Sequence, residues 1–136
     1  MIAMVLTKLI NEEKELLQDT SNKICEEILQ AMQDILQMND DDETKKYMYK
    51  SFTRTEEHDS IESYFAVLQF FLYEQQFPKI VESMKMDVSL RYVGMLLRRE
   101  LYCTYDIKLL DGVTIFPMQS NSKGKNGYRI EVTFRI

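Results

Sequence analysis

The spacing of apolar residues changes near Thr104, and this change restricts the fold more than any other feature of the chain. Before Thr104, apolar residues recur at three- and four-residue intervals, as on one face of a helix. After Thr104, they alternate with polar residues, as in a half-buried strand. Helices followed by strands are typical of the α+β class. We therefore predict N-terminal helices packed on a C-terminal three-stranded antiparallel sheet.

The chain length suits one domain, residues 1–136, large enough to bury a core without a disulfide or a metal. We divide it into an acidic helical segment (1–58), core helices (59–104) and antiparallel strands (105–136). The net charge of −5 is unevenly distributed. Residues 1–77 carry 7 basic and 16 acidic side chains, and residues 78–136 carry 10 and 6. Such a division can mark a surface that binds a polyanion, or it can be two solvated surfaces without a function.

The first segment, from about Ala3 to Met38, has a helical pattern. Apolar residues recur every seven positions, at Ile10, Leu17, Ile24, Ala31 and Met38. The polar run from Gln18 to Asn22 interrupts this pattern, and Ser21 or Asn22 could cap a second helix. We favour two helices packed on their own domain. The alternative is one continuous amphipathic helix that dimerises.

A polar connection follows from Asn39 to Asp59. Its acidic run Asp40–Glu43 lacks the glycine of a calcium-binding EF-hand loop, so we expect no calcium site. The tract Tyr47–Phe52 fits either a short helix or a strand.

Three helices are predicted between Asp59 and Tyr102. Asp59 can cap the first, which is apolar nearly all round and ends near Gln76, before Pro78. A short helix follows from Pro78 to about Lys85. The third runs from about Ser89 to Tyr102.

The last part of the chain predicts three strands. Asp111-Gly112 is a two-residue hairpin signal that would join Tyr105–Leu110 to Val113–Met118. Pro117 limits the second of these strands or places it at an edge of the sheet. The final strand alternates strictly, with its apolar side made of Tyr128, Ile130, Val132, Phe134 and Ile136.

The pattern gives no sign of catalysis, a cofactor or a metal site. His58 is the only histidine, and neither Cys25 nor Cys103 is near it in sequence. Phosphate-binding glycine motifs are missing. We expect two free, buried thiols in a cytoplasmic protein, with no secretory signal and no membrane span. A pocket collecting His58, Cys103 and an acid would instead indicate an enzyme.

The segment from Pro78 to Leu101 is the most informative for function. A short helix, a turn at Met86–Ser89 and a second helix follow the plan of a helix-turn-helix. The tract Val88-Ser89-Leu90-Arg91-Tyr92-Val93-Gly94-Met95-Leu96-Leu97-Arg98-Arg99 resembles a recognition helix, and residues 78–136 as a whole resemble winged helix-turn-helix DNA-binding proteins. The resemblance implies nucleic-acid contacts from that helix and from a wing loop. The implied contact residues are Arg91, Arg98, Arg99, Lys123 and Lys125.

Two functions fit these observations. The first is a small non-enzymatic nucleic-acid-binding or regulatory protein with a winged-helix-like C-terminal half, whose N-terminal helices form a homodimer or contact a partner. The second is a protein–protein interaction domain, such as a viral or phage accessory protein that inhibits a host factor. In the second, the five basic residues are ordinary surface charges.

Overall fold

The computed structural model describes residues 1–38, 46–56, 62–86, 88–119 and 126–135. It confirms the α+β class. The elements in chain order are α1 (Ile2–Leu36), β1 (Met48–Glu56), β2 (Glu62–Tyr73), α2 (Pro78–Met84), α3 (Leu90–Cys103), β3 (Leu110–Met118) and β4 (Gly127–Arg135). The sheet has four strands where the sequence predicted three, all antiparallel in the order β1-β2-β4-β3. No described helix is long and apolar enough to cross a bilayer.

Helix α1 is continuous over 35 residues, so the prediction of two separate helices is wrong. Ser21 lies buried against the core instead of capping a second helix. The first 38 residues contain neither Gly nor Pro, and each polar residue in the 18–22 run costs only a few tenths of a kcal/mol relative to Ala in a helix, up to ~0.7. Packing of the following turns on the core outweighs that cost.

Strand β2 occupies the place of a predicted helix, and that prediction is also wrong. β2 pairs with β1 on one side and β4 on the other, with Phe70 opposite Met48 and opposite Ile130. A continuous apolar run fits a central strand as well as a buried helix, and the many aromatic residues of β2 favour a strand. β1 resolves the undecided tract Tyr47–Phe52 as strand from Met48 onward. The predicted cap Asp59 lies outside the described residues.

Strand β3 corrects the predicted hairpin turn. Asp111 and Gly112 lie within the strand, where the register with β4 shifts between Leu110 and Gly112, as at a β-bulge. Residues 104–109 form turns and irregular structure after α3, so the strand predicted over Tyr105–Leu110 is wrong. Of the two effects predicted for Pro117, the edge position is the one observed, because β3 is an edge strand and continues to Met118.

The core lies between the helices and one face of the sheet. The second half of α1, α2 and α3 share one buried cluster with β2, β3 and β4. The β4 alternation is confirmed for Ile130 and Val132, which are buried, and Tyr128 and Phe134 pack against the cluster. Ile136 lies outside the described residues. Gly94 lets α3 approach β3 closely, because a Cβ there would lie 3.2 Å from the carbonyl oxygen of Val113.

Helices α2 and α3 have the predicted positions. Pro78 is at the start of α2, which buries Ile80, Val81 and Met84. Ser89 caps α3, since its hydroxyl accepts a hydrogen bond from the backbone N–H of Tyr92 at 3.2 Å.

Candidate interaction surfaces

The first half of α1 makes no buried contact with the rest of the molecule. Every residue from 2 to 19 is exposed, and the first buried position of the helix is Ser21. Eighteen helical residues extend about 27 Å. We call residues 2–19 the arm, and the described residues from Ser21 onward the body.

One face of the arm is apolar. Its residues follow the three- and four-residue spacing that aligns side chains along a helix, interrupted at Glu13. Each is between 44% and 77% exposed. We call six of them the apolar stripe: Ile2, Leu6, Leu9, Ile10, Leu16 and Leu17. The stripe continues along α1 into Ile24 and Ile28, which are buried in the core. The same face of α1 is therefore exposed to solvent in the first half of the helix and packed on the body in the second half.

A groove lies where the arm joins the body. Ile10 and Leu17 line its arm side, and Val88, Ser89 and Tyr92 line its body side. The groove has a volume of about 720 Å³. Val88 and Tyr92 pack partly against the core, so the apolar stripe leads into a recess that has apolar walls on both sides and polar residues, among them Glu13 and Gln18, along its edge.

The predicted basic residues on α3 are all exposed. Arg98 and Arg99 line a shallow groove of about 340 Å³ together with Met95 and Tyr102. The Nε of Arg98 donates to the backbone carbonyl of Asp111 at 3.2 Å, which anchors that side chain at the start of β3. Arg91 lies two helical turns before Arg98 and does not line this groove.

Both helices predicted for the helix-turn-helix are present, and each also lies close to elements outside that motif. α2 runs close to α1 and β2, and α3 runs close to β3 and α1. Val93 of α3 shares the buried cluster with Ile80 and Met84 of α2. The predicted wing residues Lys123 and Lys125 lie outside the described residues.

The sheet face opposite the core carries pairs of aromatic and arginine side chains, and the sequence did not reveal this pairing. The guanidinium of Arg129 lies 4.5 Å from the ring centroid of Phe116, on the neighbouring strand. Arg135 lies 5.9 Å from the ring of Phe65. Such a pair places an aromatic ring, on which a nucleic-acid base can stack, beside a positive charge. Glu131 lies 3.8 Å from Arg129 and partly neutralises this face.

The two cysteines have different surroundings. Cys25 is buried and free, and burial, reinforced by Glu100, raises its pKa from 9.0 to about 11. A thiol that stays protonated at neutral pH is a poor nucleophile. Cys103 is free as predicted but exposed, which corrects its predicted burial. The described residues contain no cluster of His, Cys, Asp and Glu able to hold a metal ion, and His58 lies outside them.

Comparison of the chain with protein-family models, curated proteins and solved structures finds no match.

Proposed function

We propose that this chain is a non-enzymatic protein-interaction domain whose docking element is the apolar stripe of the arm. The observation that carries the proposal is the exposure of six large aliphatic side chains on one helix face. At roughly 100 Å² of exposed apolar surface each, they total about 500–600 Å². That equals the largest apolar patch of a typical monomer, about 300–600 Å², and such patches commonly bind proteins.

The polar side of the arm supports this function. Glu12, Glu15 and Asp19 lie away from the stripe and are exposed. An amphipathic helix with one apolar and one charged side is the element that other proteins bind in helix-in-groove recognition. The two free thiols fit a reducing compartment such as the cytoplasm.

The test compares two variants that add the same charge to opposite sides of the arm. Leu9→Glu with Leu17→Glu places two carboxylates in the stripe. Met4→Glu with Asn11→Glu places two on the polar side, at exposed positions that do not line the groove. Each purified protein is immobilised and exposed to a lysate of the cells in which the chain is naturally made. Retained proteins are then purified and titrated against the chain by calorimetry.

A partner should bind the wild type and the polar-side variant, and bind the stripe variant at least tenfold more weakly, because each buried carboxylate would have to be desolvated. The proposal fails if no protein, including a second copy of the chain, distinguishes the stripe variant from the other two. At a concentration where both variants are monomeric, circular dichroism should show similar helix content, since Glu, Leu and Met have similar helix propensity.

Nucleic-acid binding is the second candidate, because Arg98 and Arg99 share one exposed groove. Arginines bind phosphates with release of counterions. The test is a titration of duplex and single-stranded oligonucleotides at two salt concentrations. Arg98→Ala with Arg99→Ala is compared with Lys8→Ala and Lys14→Ala, which remove the same charge from the arm.

Binding through α3 predicts a salt slope smaller by roughly two for the arginine variant only. This candidate is refuted by no binding at low salt, or by equal effects of both variants.

A further inference from the structure

We infer that the partner of the arm is a second copy of this chain, docked antiparallel along residues 2–18. The inference rests on the proposed function and names the partner. It follows from four features of α1: where its apolar face becomes covered, where Glu13 lies, what the adjoining groove can accept, and how much area the stripe offers.

The body excludes a parallel partner on this face. From Ser21 onward the face that bears the stripe is buried against the body. A parallel helix aligned on the stripe would meet the body once it passed residue 20. An antiparallel helix overlaps the exposed segment alone, and it places the two bodies at opposite ends of the helix pair. The midpoint of residues 2–18 is Ile10, so Ile10 would lie on the two-fold axis and residue 3 would lie opposite residue 17.

The charge within the stripe favours the same direction. Glu13 occupies a stripe position between Leu9 and Leu17. In a parallel pair in register, the two copies of Glu13 would lie side by side, and like charges at such positions destabilise helix pairs. In the antiparallel pair they are six residues apart, about 9 Å along the axis. Each then lies at the axial level of Thr7 of the other copy.

The groove at the base of the arm fits the end of a second arm. In the antiparallel register, Ile2 of the second copy lies opposite Gln18 and Leu6 lies opposite Lys14. Gln18 and Lys14 both line the groove, across from Val88 and Tyr92. The 720 Å³ recess would therefore receive the apolar side chains at the beginning of the other arm.

The area is sufficient for a specific dimer. The stripe contributes about 500–600 Å² per copy, and the groove and flanking polar side chains add to it. A standard interface buries about 800 Å² per partner. The dimer should therefore form at moderate concentration and dissociate on dilution.

Sedimentation velocity over a hundredfold range of concentration tests the association. The wild type and the polar-side variant (Met4→Glu with Asn11→Glu) should convert from monomer to dimer. The stripe variant (Leu9→Glu with Leu17→Glu) should require at least a tenfold higher concentration. A wild type that stays monomeric throughout would overturn the inference. The proposed function would still stand if the calorimetric titrations find a different protein that binds the stripe.

Disulfide trapping tests the direction. In a Cys103→Ser background, one protein carries Ala3→Cys and another carries Leu17→Cys. Oxidation of the mixture should give mainly the 3–17 heterodimer, with little 3–3 or 17–17 product. Predominant 3–3 and 17–17 products would show a parallel pair and overturn the antiparallel arrangement. Asn11→Cys in the same background is the control for random collision, because position 11 is on the polar side.

Discussion

Two isoleucines on α1 provide the sharpest test of the division between arm and body. Ile28 is fully buried, whereas 67% of Ile10 is exposed. Ile→Ala removes three carbon groups, worth about 2.4 kcal/mol at roughly 0.8 kcal/mol each when fully buried. At Ile28 the cavity adds to this loss, so the free energy of unfolding should fall by about 3–4 kcal/mol. At Ile10 only a third of the side chain is covered, which gives about 0.8 kcal/mol, and the higher helix propensity of Ala offsets roughly half of that.

Urea unfolding followed by circular dichroism measures both changes. At a concentration where the chain is monomeric, Ile28→Ala should be at least about 2 kcal/mol less stable than Ile10→Ala, with similar m values. The same difference should lower the midpoint of thermal unfolding by roughly 8 °C more for Ile28→Ala. If both variants lose the same stability at this dilution, residues 2–19 pack against the body and the description of the arm is wrong.

Three further predictions concern the body. A Cβ at Gly127 would collide with the carbonyl oxygen of Leu72, so Gly127→Ala should cost about 1–3 kcal/mol in urea unfolding, whereas Gly112→Ala meets open space and should be nearly neutral. Ser89→Ala removes the cap of α3 and should cost about 1 kcal/mol, and Ser89→Asp should restore most of it. Burial raises the pKa of Cys25 from 9.0 to about 11, so the thiol of the unfolded chain loses its proton at a lower pH than the folded one. The contribution of this thiol to the free energy of unfolding should be fully present below pH 9 and fall by roughly 2 kcal/mol towards pH 11. Cys25→Ala should reduce that fall.

The error at β2 shows where sequence patterns stop being informative. Residues 64–72 are apolar nearly all round, which fits both a buried helix and a central strand, and only their aromatic content favours the strand. The choice was made by pairing with β1 and with β4, more than fifty residues later in the chain. No local pattern contains that information. By contrast, α2, α3 and β4 each have one covered face or a cap, so their own residues determined them.

The surfaces were predictable to different degrees. The exposure of Arg91, Arg98 and Arg99 followed from helical spacing alone. The pairing of Phe116 with Arg129 did not, because it depends on the register between β3 and β4. The pairing of Phe65 with Arg135 depended on recognising β2 as a strand.

The arm shows a second limit of sequence patterns. Its apolar helix face was clear from the spacing of residues, but whether that face is buried was not. The seven-residue repeat is the same at Leu17, which is 44% exposed, and at Ile24, which is 2% exposed. Period identifies the face of a helix that is to be covered, but not whether the same chain covers it.

The local chemistry of the arm stabilises its helix only weakly. α1 begins without a side-chain cap and without an acidic residue in its first turn. The hydroxyl of Thr7 donates to the carbonyl oxygen of Ala3, a bond that weakens helices slightly. Isolated helices shorter than about 12–15 residues are marginal in water, and only the end of the arm that joins the body has tertiary support. Burial of the stripe against a second arm would therefore stabilise the helix itself, and association and helix formation in residues 2–19 should rise together with concentration.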